Sequence, residues 1–194
     1  MYVPSWQAWY GVIPPEKIDE IISESEKYPS TPSVMGPTQE NSNKNHNYRR
    51  SDVSWIPPAD ASSLFIANII AHYAFEANRN AFGFNLGNRV NDIQYTKYYG
   101  SDQGFYNWHI DTFFHGNSKA FDRKLSVVIQ LTDPDEYEGG DFKFESHLEV
   151  PDPTELRKKG TVLVFPSYTQ HMVEPVTKGE RRSIVSWIEG PRFV

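Results

Sequence analysis

The sequence predicts a mainly β fold of the sandwich or jelly-roll barrel kind, with two helices before the β core. Three observations predict it. Short runs rich in β-branched and aromatic residues fill residues 91–189, glycine-containing turns separate these runs, and no helical pattern lies between them. The predicted strands are, in order, NDIQYTKYY, FYNWHID, KLSVVIQL, GDFKF, TVLVFPS, HMVEPV and RSIVSWIE.

Two helices are predicted before residue 90. Pro14-Pro15 precede EKIDEIISESEKY, which has its isoleucines on one side, so a helix with proline in its first turn is expected there. Asp60 is the expected N-cap of ASSLFIANIIAHYAFEANRNAF, and the wide apolar arc of that segment indicates packing against a sheet. Residues 29–50 between the helices are polar and predict a long loop or two irregular strands.

Length and composition restrict the class of protein. The 194 residues contain no internal repeat and are interpreted as one domain, 1–194, with a helical part at about 1–90 and a β core at about 91–194. The absence of cysteine excludes thiolate metal sites, so any metal is held by nitrogen and oxygen. The net charge of −6 argues against nucleic acid as a partner. Without an apolar run of ~20 residues or a signal-peptide pattern, no membrane association and a cytoplasmic location are expected.

A histidine and an aspartate separated by one residue stand in the second predicted strand. Residues two apart on a strand point to the same face, so His109 and Asp111 are expected to reach one cavity, and His171 begins a later strand. Two imidazoles and one carboxylate leave open positions on a metal and are typical of non-haem Fe(II) oxygenases. A single histidine, by contrast, is more often structural. A second pair of this kind, His147 and Glu149, is interpreted as a loop coincidence because it lies too close to His171 in sequence.

An arginine in the last predicted strand indicates an anion site. Arg181 follows His171 by ten residues, across a hairpin predicted at Lys178-Gly179, and alternation places it on one face with Ser183 and Trp187. A guanidinium beside a hydroxyl suits a carboxylate held by two hydrogen bonds, and an arginine inside a β core requires an anion. The alternative is a surface arginine, but alternation assigns that place to the neighbouring Arg182.

These motifs carry a family resemblance. The chain resembles the Fe(II)/2-oxoglutarate-dependent oxygenases of the prolyl-4-hydroxylase type, particularly their short bacterial and phage members. The matching pieces are QYTKYYGSDQGFYNWHID, RKLSVVIQLTDPDEYEGGDFKF, KKGTVLVFPSYTQHMVEPVTKGERRSIVSWIEG and, more weakly, YGVIPPEKIDEII. The order His-x-Asp, Gly-Gly-Asp-x-x-Phe and His-x9-Arg-x-Ser is specific in combination and covers about residues 92–190.

The resemblance implies a fold, a metal and a cosubstrate. It implies a double-stranded β-helix core of the jelly-roll or cupin-like kind, with Fe(II) bound by the catalytic residues His109, Asp111 and His171. Arg181 would bind the distal carboxylate of 2-oxoglutarate with help from Ser183. Two residues of the first core strand, Tyr98 and Gln94, would lie against the cosubstrate, with Tyr99 as the alternative tyrosine. O2 is the second cosubstrate, and ascorbate is an expected stimulant.

Four further residues are candidates for substrate contact. Trp187 stands at the aromatic position that closes the site, although it also suits the core, and Arg123 opens the strand after the His-x-Asp motif, where a surface role is the alternative. Tyr48 and Arg49 lie in the segment 45–58, which is expected to cover the mouth of the site as a lid or substrate-binding finger. The alternative for this segment is a loop fixed to the scaffold by its tryptophan.

The expected reaction is hydroxylation of a prolyl residue in a peptide or protein, with release of succinate and CO2 from 2-oxoglutarate. The resemblance is the main reason, and the tyrosines and tryptophan of residues 95–108 suit the flat backbone of proline-rich segments. One alternative is an oxygenase that acts on a free amino acid or another small molecule. Another is a non-catalytic jelly-roll binding module. A nucleic-acid demethylase is disfavoured because Trp187 stands where those relatives carry a second arginine.

Overall fold

The structure is a computed structural model that describes residues 5–33, 48–112, 120–145 and 150–193. His147 and Glu149, interpreted above as a loop coincidence, lie outside these ranges, as do residues 45–47 of the expected lid. Within the described ranges, no helix is both long enough and apolar enough to cross a membrane.

Twelve strands and three α-helices make up the described part of the chain. The helices are α1 (Pro15–Ser25), α2 (Leu64–Ala77) and α3 (Pro153–Leu156). The strands are β1 (Gln7–Trp9), β2 (Thr31–Pro32), β3 (Arg49–Arg50), β4 (Asp52–Ile56), β5 (Val90–Tyr99), β6 (Phe105–His109), β7 (Phe121–Gln130), β8 (Tyr137–Gly139), β9 (Phe142–Phe144), β10 (Val162–Pro166), β11 (His171–Val173) and β12 (Val176–Pro191).

The strands form two antiparallel sheets. The major sheet has the order β1-β10-β7-β12-β5-β4-β2, with β8 paired to the first part of β12, and the minor sheet has the order β3-β6-β11-β9. The strands from β5 to β7 and from β8 to β12 alternate between the sheets, since β6, β9 and β11 belong to the minor sheet and the others to the major one. The prediction of a mainly β fold with helices before the core is confirmed.

Helix α1 begins as the sequence predicts. Pro15 occupies the first helical turn, where its missing N–H costs no hydrogen bond, and Ile18 and Ile21 are fully buried against the major sheet. The expected N-cap of α2 is wrong. Asp60 lies in a turn, where its carbonyl accepts hydrogen bonds from the N–H groups of Ser63 and Leu64, so the helix begins at Leu64.

Helix α2 covers the outer face of the major sheet, as its apolar arc predicts. Ile66, Ile70 and Ala74 are fully buried and share one hydrophobic cluster with Leu125 of β7 and Ile184 of β12. Burial of each isoleucine contributes about 1.5–3 kcal/mol, so this face is the main hydrophobic core of the chain. The opposite face of the sheet is left to line the space between the two sheets.

The predicted hairpin at Lys178-Gly179 is not present. The chain instead continues as one long strand, β12, which pairs with β8 up to Gly179 and with β5 and β7 beyond it. Gly179 has φ of 71°, so the strand bends here through a conformation that other residues adopt at a cost. The bend, not a turn, delivers Arg181 to the inner face of the major sheet.

Residues 29–50 contain the two short strands β2 and β3, in agreement with the second alternative for this segment, whereas β4 was not predicted. Between β3 in the minor sheet and β4 in the major sheet there is only Ser51, so the segment expected to be a lid or a loop crosses from one sheet to the other. Strands of two residues (β3) and five residues (β4) are too short for an alternation of polar and apolar side chains to be recognised in the sequence. Its described part connects the two sheets, and three of its side chains, Tyr48, Arg49 and Trp55, line the cavity between them.

We expect Gly179→Ala to destabilise the protein more than Gly83→Ala does. Both glycines have positive φ, 71° and 64°, and alanine costs about 1–2 kcal/mol in that region. A Cβ at position 179 would also lie 2.0 Å from the carbonyl oxygen of Glu136, whereas none of the described atoms lies within 4 Å of a Cβ at position 83. Urea unfolding should therefore give a free-energy loss larger by about 1–3 kcal/mol for Gly179→Ala. Equal losses would contradict this role of the bend.

Candidate active site

A cavity of about 780 Å³ lies between the two sheets. The minor sheet contributes side chains from β3, β6, β9 and β11, and the major sheet contributes side chains from β4, β5, β7 and β12. All of the candidate site residues named from the sequence line this cavity: Tyr48, Arg49, Gln94, Tyr98, His109, Asp111, Arg123, His171, Arg181, Ser183 and Trp187. Residues separated by up to 139 positions in the chain are thus brought to one place.

Two histidines and one aspartate form a compact cluster in this cavity. His109 ends β6 and His171 begins β11, and the two are direct cross-strand neighbours. The Nε2 atom of His109 lies 3.7 Å from one carboxylate oxygen of Asp111, and the Nε2 atom of His171 lies 3.5 Å from the other. One ligand atom from each residue lies within 4.8 Å of the other two, which is the spacing that a single metal ion requires.

Asp111 reaches the cluster from outside the strand. Strand β6 ends at His109, so the strand alternation used in the prediction does not extend to Asp111. Its backbone N–H donates instead to the carbonyl oxygen of Ser167 at 2.8 Å, and the N–H of Thr112 donates to the same oxygen at 3.1 Å. Ser167 directly follows β10, so the end of a major-sheet strand holds the aspartate in place.

The two imidazoles present lone pairs toward Asp111. Nδ1 of His109 lies 2.7 Å from the carbonyl oxygen of Asn107, and Nδ1 of His171 lies 2.9 Å from that of Thr169. A carbonyl oxygen only accepts hydrogen bonds, so each Nδ1 carries a proton and each Nε2 is free to bind a metal. Burial, followed by the proximity of His171, lowers the pKa of His109 to about 4, so this imidazole is neutral at neutral pH.

The carboxylate of Asp111 is buried and charged. Burial acts to raise its pKa, but His171, His109 and a hydrogen bond from the Ser126 hydroxyl at 2.6 Å outweigh burial, and the pKa is lowered. The Ser126 hydroxyl also lies 3.0 Å from that of Ser167. Two imidazoles and one carboxylate are the donor set of the facial triad typical of non-haem Fe(II), so the cluster fits that ion.

Tyr106 belongs to the site although strand alternation assigns it to the opposite face from His109. The register of β6 against β11 pairs His109 with His171 and Tyr106 with Val173, so β6 contains one extra residue between the two pairs. Such a β-bulge turns the side chains that follow it, and the ring of Tyr106 stacks on the His109 imidazole with centroids 3.4 Å apart. No residue pattern in this run signals the bulge, so sequence reasoning missed this contact.

Arg181 is buried, and it has no acidic partner in the part of the chain that the structure describes. The side chain is almost fully buried, since Arg181 is 4% exposed. Among the described residues, no carboxylate lies within ion-pair distance of its guanidinium. The guanidinium carbon lies 5.7 Å from the ring centre of Tyr98. Arg182 lies on the opposite face, where it pairs with Glu180 at 2.6 Å, so the predicted alternation is correct. An unpaired buried guanidinium is costly, which indicates that an anion enters the cavity beside Arg181.

The neighbours of Arg181 complete this end of the cavity. Ser183 and Gln94 are buried, and the amide nitrogen of Gln94 donates to the hydroxyl of Thr96 at 2.7 Å. Tyr98 is the cross-strand partner of Arg181 and lines the cavity, whereas its alternative Tyr99 does not. The tyrosine of this wall is therefore Tyr98.

An arginine and a tryptophan form the wall beside Asp111. The guanidinium carbon of Arg123 lies 3.6 Å from the ring centre of Trp187, and one of its nitrogens lies 3.5 Å from the carbonyl oxygen of Asp111. Tyr48 donates its hydroxyl to the carbonyl oxygen of Trp108 at 2.5 Å on the minor-sheet side. Trp55, almost half exposed, lies at the rim 6.3 Å from Trp187.

Comparison with known proteins gives a family match. The model of the 2OG-Fe(II) oxygenase superfamily matches residues 93–189. A PKHD-type hydroxylase of Synechococcus sp. (strain CC9605) is 33% identical over 135 residues, which cover 69% of this chain and 57% of that protein. A PKHD-type hydroxylase of Aliarcobacter butzleri is 38% identical over 92 residues, which cover 44% of this chain and 38% of that protein. The chain spans about half the length of these relatives.

Solved structures confirm the fold. The viral collagen prolyl hydroxylase of Paramecium Bursaria Chlorella virus-1, in its 2OG complex, superposes with a TM-score of 0.70 at 18% identity over 96% of this chain and 97% of that one. A prolyl-4-hydroxylase of Pseudomonas putida superposes with a TM-score of 0.65 at 19% identity over 98% of this chain and 94% of that one. The double-stranded β-helix expected from the sequence is therefore confirmed.

We expect Ser126→Ala to weaken the binding of a divalent metal at this cluster. The substitution removes the hydrogen bond that orients the Asp111 carboxylate, and loss of such a contact typically costs about 10–100-fold in metal affinity. Titration with Mn(II), followed by electron paramagnetic resonance, measures the effect. Ser54→Ala is the matched control, since Ser54 is equally buried in the major sheet and donates to the carbonyl of Tyr28. An unchanged Mn(II) affinity in Ser126→Ala would refute the role of Ser126.

Proposed function

The chain belongs to the 2OG-Fe(II) oxygenase superfamily, and from that premise we propose that it is a dioxygenase that hydroxylates a prolyl residue in a peptide or protein, with release of succinate and CO2. The observation that carries the proposal is the pairing of two features in one cavity. A two-histidine, one-carboxylate cluster lies in the same cavity as a buried arginine that has no acidic partner among the described residues. The first feature suits Fe(II), and the second suits the carboxylate of a cosubstrate.

Each residue of the cluster has a defined task in this proposal. His109, Asp111 and His171 hold Fe(II) through the two Nε2 atoms and the carboxylate. The backbone carbonyls of Asn107 and Thr169 fix the imidazole tautomers. Bound Fe(II) supplies the coupling of 2-oxoglutarate decarboxylation to oxygen activation, and this chemistry belongs to the metal and cosubstrate. The protein contributes orientation and the exclusion of water.

The cosubstrate end of the cavity is assigned to Arg181. Its guanidinium binds the distal carboxylate of 2-oxoglutarate, and the Ser183 hydroxyl adds a hydrogen bond from the same face of β12. Tyr98 and Gln94 form the wall on β5, directly across from Arg181 and Val185. Burial of this ion pair makes the contact strong, because water does not compete for either charge.

The prolyl substrate is supported by the relatives and by the shape of the wall. Both superposed structures are prolyl hydroxylases by name, and the two sequence relatives are named hydroxylases. At the mouth of the cavity, Trp55 and Trp187 lie 6.3 Å apart and present aromatic faces. Such faces suit the flat, preformed backbone of a proline-rich segment.

We expect Arg181→Gln to raise the apparent KM for 2-oxoglutarate about tenfold or more, because the charge-assisted contact contributes roughly 1.5–3 kcal/mol. Metal affinity should change little, since Arg181 is not a ligand. Arg182→Gln is the matched control, because the neighbouring arginine pairs with Glu180 on the outer face. Steady-state succinate release measures both. A rise in KM in Arg182→Gln alone would transfer the role to the other arginine.

The substrate class is tested with three compounds: a proline-containing peptide, the same peptide with alanine in place of proline, and free proline. With Fe(II), 2-oxoglutarate and O2, we expect the proline peptide alone to gain the mass of one oxygen atom, and His171→Ala to form no product. Mass spectrometry identifies the product. Oxidation of free proline alone would replace the proposal by a small-molecule oxygenase, and oxidation of the alanine peptide would show that proline is not the target.

A further inference from the structure

Arg49 is a second buried arginine in the cavity, and it has no acidic partner in the described part of the chain. Its residue is 7% exposed. Its Nε atom donates to the hydroxyl of Ser51 at 2.8 Å, while its Nη2 atom is buried without a hydrogen-bond acceptor. No carboxylate of the described ranges lies within ion-pair distance. Burial removes the hydration of this guanidinium, and no described counter-ion compensates for that loss.

The position of Arg49 is close to the metal cluster. Arg49 on β3 is the direct cross-strand partner of Tyr106 on β6, and its guanidinium carbon lies 4.4 Å from the centre of the Tyr106 ring. The Tyr106 ring also stacks on the imidazole of His109, with ring centroids 3.4 Å apart. Arg49 therefore lies at the end of a stack that begins at a metal-binding histidine, on the side of the minor sheet.

The charges that line the cavity are unbalanced. Among the described residues, its lining includes three arginines, Arg49, Arg123 and Arg181, but only one carboxylate, that of Asp111. In the proposed function, the dianionic cosubstrate together with Asp111 offsets a divalent metal and Arg181. Arg123 contacts the Trp187 ring and the carbonyl of Asp111, and the negative charges of Asp92 and Glu189, outside the cavity lining, also act on it. The charge of Arg49 is then left for the one component not yet counted, which is the substrate.

We propose that Arg49 binds a carboxylate of the substrate, so that the hydroxylated residue lies next to a negative charge. This inference rests on the proposed function, because it assigns a charge to the substrate of the same site. The carboxylate has two possible sources. One is the side chain of an aspartate or glutamate beside the target proline, and the other is the α-carboxylate of a C-terminal proline. The planar guanidinium suits either carboxylate, because it offers two parallel N–H groups to the two carboxylate oxygens.

The alternative is that Arg49 only supports the Tyr106 ring. A guanidinium over an aromatic face is a stable arrangement. The hydrogen bond from Arg49 to Ser51 holds the guanidinium over the Tyr106 ring. This role predicts effects on stability and on the metal site that do not depend on the charge of the substrate. The two roles therefore differ in a measurable way.

The experiment compares matched pairs of proline peptides. One pair carries glutamate or glutamine next to the proline, and the other ends in proline as the free acid or the amide. Binding is measured by fluorescence anisotropy on protein loaded with Mn(II) and 2-oxoglutarate without O2, and hydroxylation is measured on the Fe(II) enzyme. We expect the wild type to bind the charged member of at least one pair about tenfold more tightly, and the pair that shows the preference identifies the source.

Arg49→Gln should abolish that preference while it leaves the affinity for the uncharged peptides close to that of the wild type. Arg50→Gln is the matched control, because its guanidinium contacts the carbonyl of Asp102 and the ring of Phe105 and does not line the cavity. The control should keep the full preference. Arg49→Lys keeps the charge without the fork, so it should keep a reduced preference and serves as a second variant if Arg49→Gln unfolds.

Equal binding of charged and uncharged peptides by the wild type would overturn the inference. So would a preference that persists in Arg49→Gln, because another group would then bind the carboxylate. These results are distinguishable from failure of the proposed function. Hydroxylation of proline peptides without a charge preference refutes only the role of Arg49. Binding with a charge preference but without hydroxylation of any peptide supports Arg49 and refutes the proposed reaction.

Discussion

The burial of one carboxylate between two imidazoles is the constraint on which the site depends. The Nδ1 atoms of His109 and His171 donate hydrogen bonds to backbone carbonyl oxygens. The Nε2 lone pairs of both rings therefore point toward the carboxylate oxygens of Asp111. One ligand atom of each of the three residues lies within 4.8 Å of the other two, and the hydroxyl of Ser126 donates to the carboxylate at 2.6 Å. The arrangement is favourable when a cation lies at its centre, so metal binding and local stability are coupled.

The two sheets divide the chemistry between them. The two histidines of the candidate metal cluster lie on the minor sheet, whereas Arg181 and its neighbours lie on the major sheet. The distance between the metal and cosubstrate ends therefore depends on how the sheets are held together. Two connections hold them close to the site: the crossing from β3 to β4 through Ser51, and the carbonyl of Ser167, which binds the backbone of Asp111. Neither connection contributes a side chain to the candidate site, yet both determine how the side chains of the site lie relative to one another.

Sequence patterns predicted the parts of the fold where alternation is long and regular. Along β12 the register with β5 is continuous from Glu180 to Ser186, so Arg181, Ser183 and Val185 keep one face and all reach the cavity. Patterns failed where local structure depends on backbone hydrogen bonds or on very short elements. The start of α2 depends on the turn at Asp60, and β4, which was not predicted, has only five residues. The hairpin expected at Gly179 failed because a glycine with positive φ serves a bend as well as a turn.

The bulge in β6 shows why part of the site is not visible in the sequence. Without the extra residue, Tyr106 and His109 would point to opposite faces, and Arg49, which follows Tyr106 across the strands, would leave the cavity with it. The bulge therefore places both the Tyr106 ring and the Arg49 guanidinium on the side that carries His109. Since Tyr106 contacts both His109 and Arg49, the proposed metal ligand and the proposed substrate-binding arginine share one neighbouring side chain. A change at Tyr106 would then alter both together, whereas a change at Arg49 separates them.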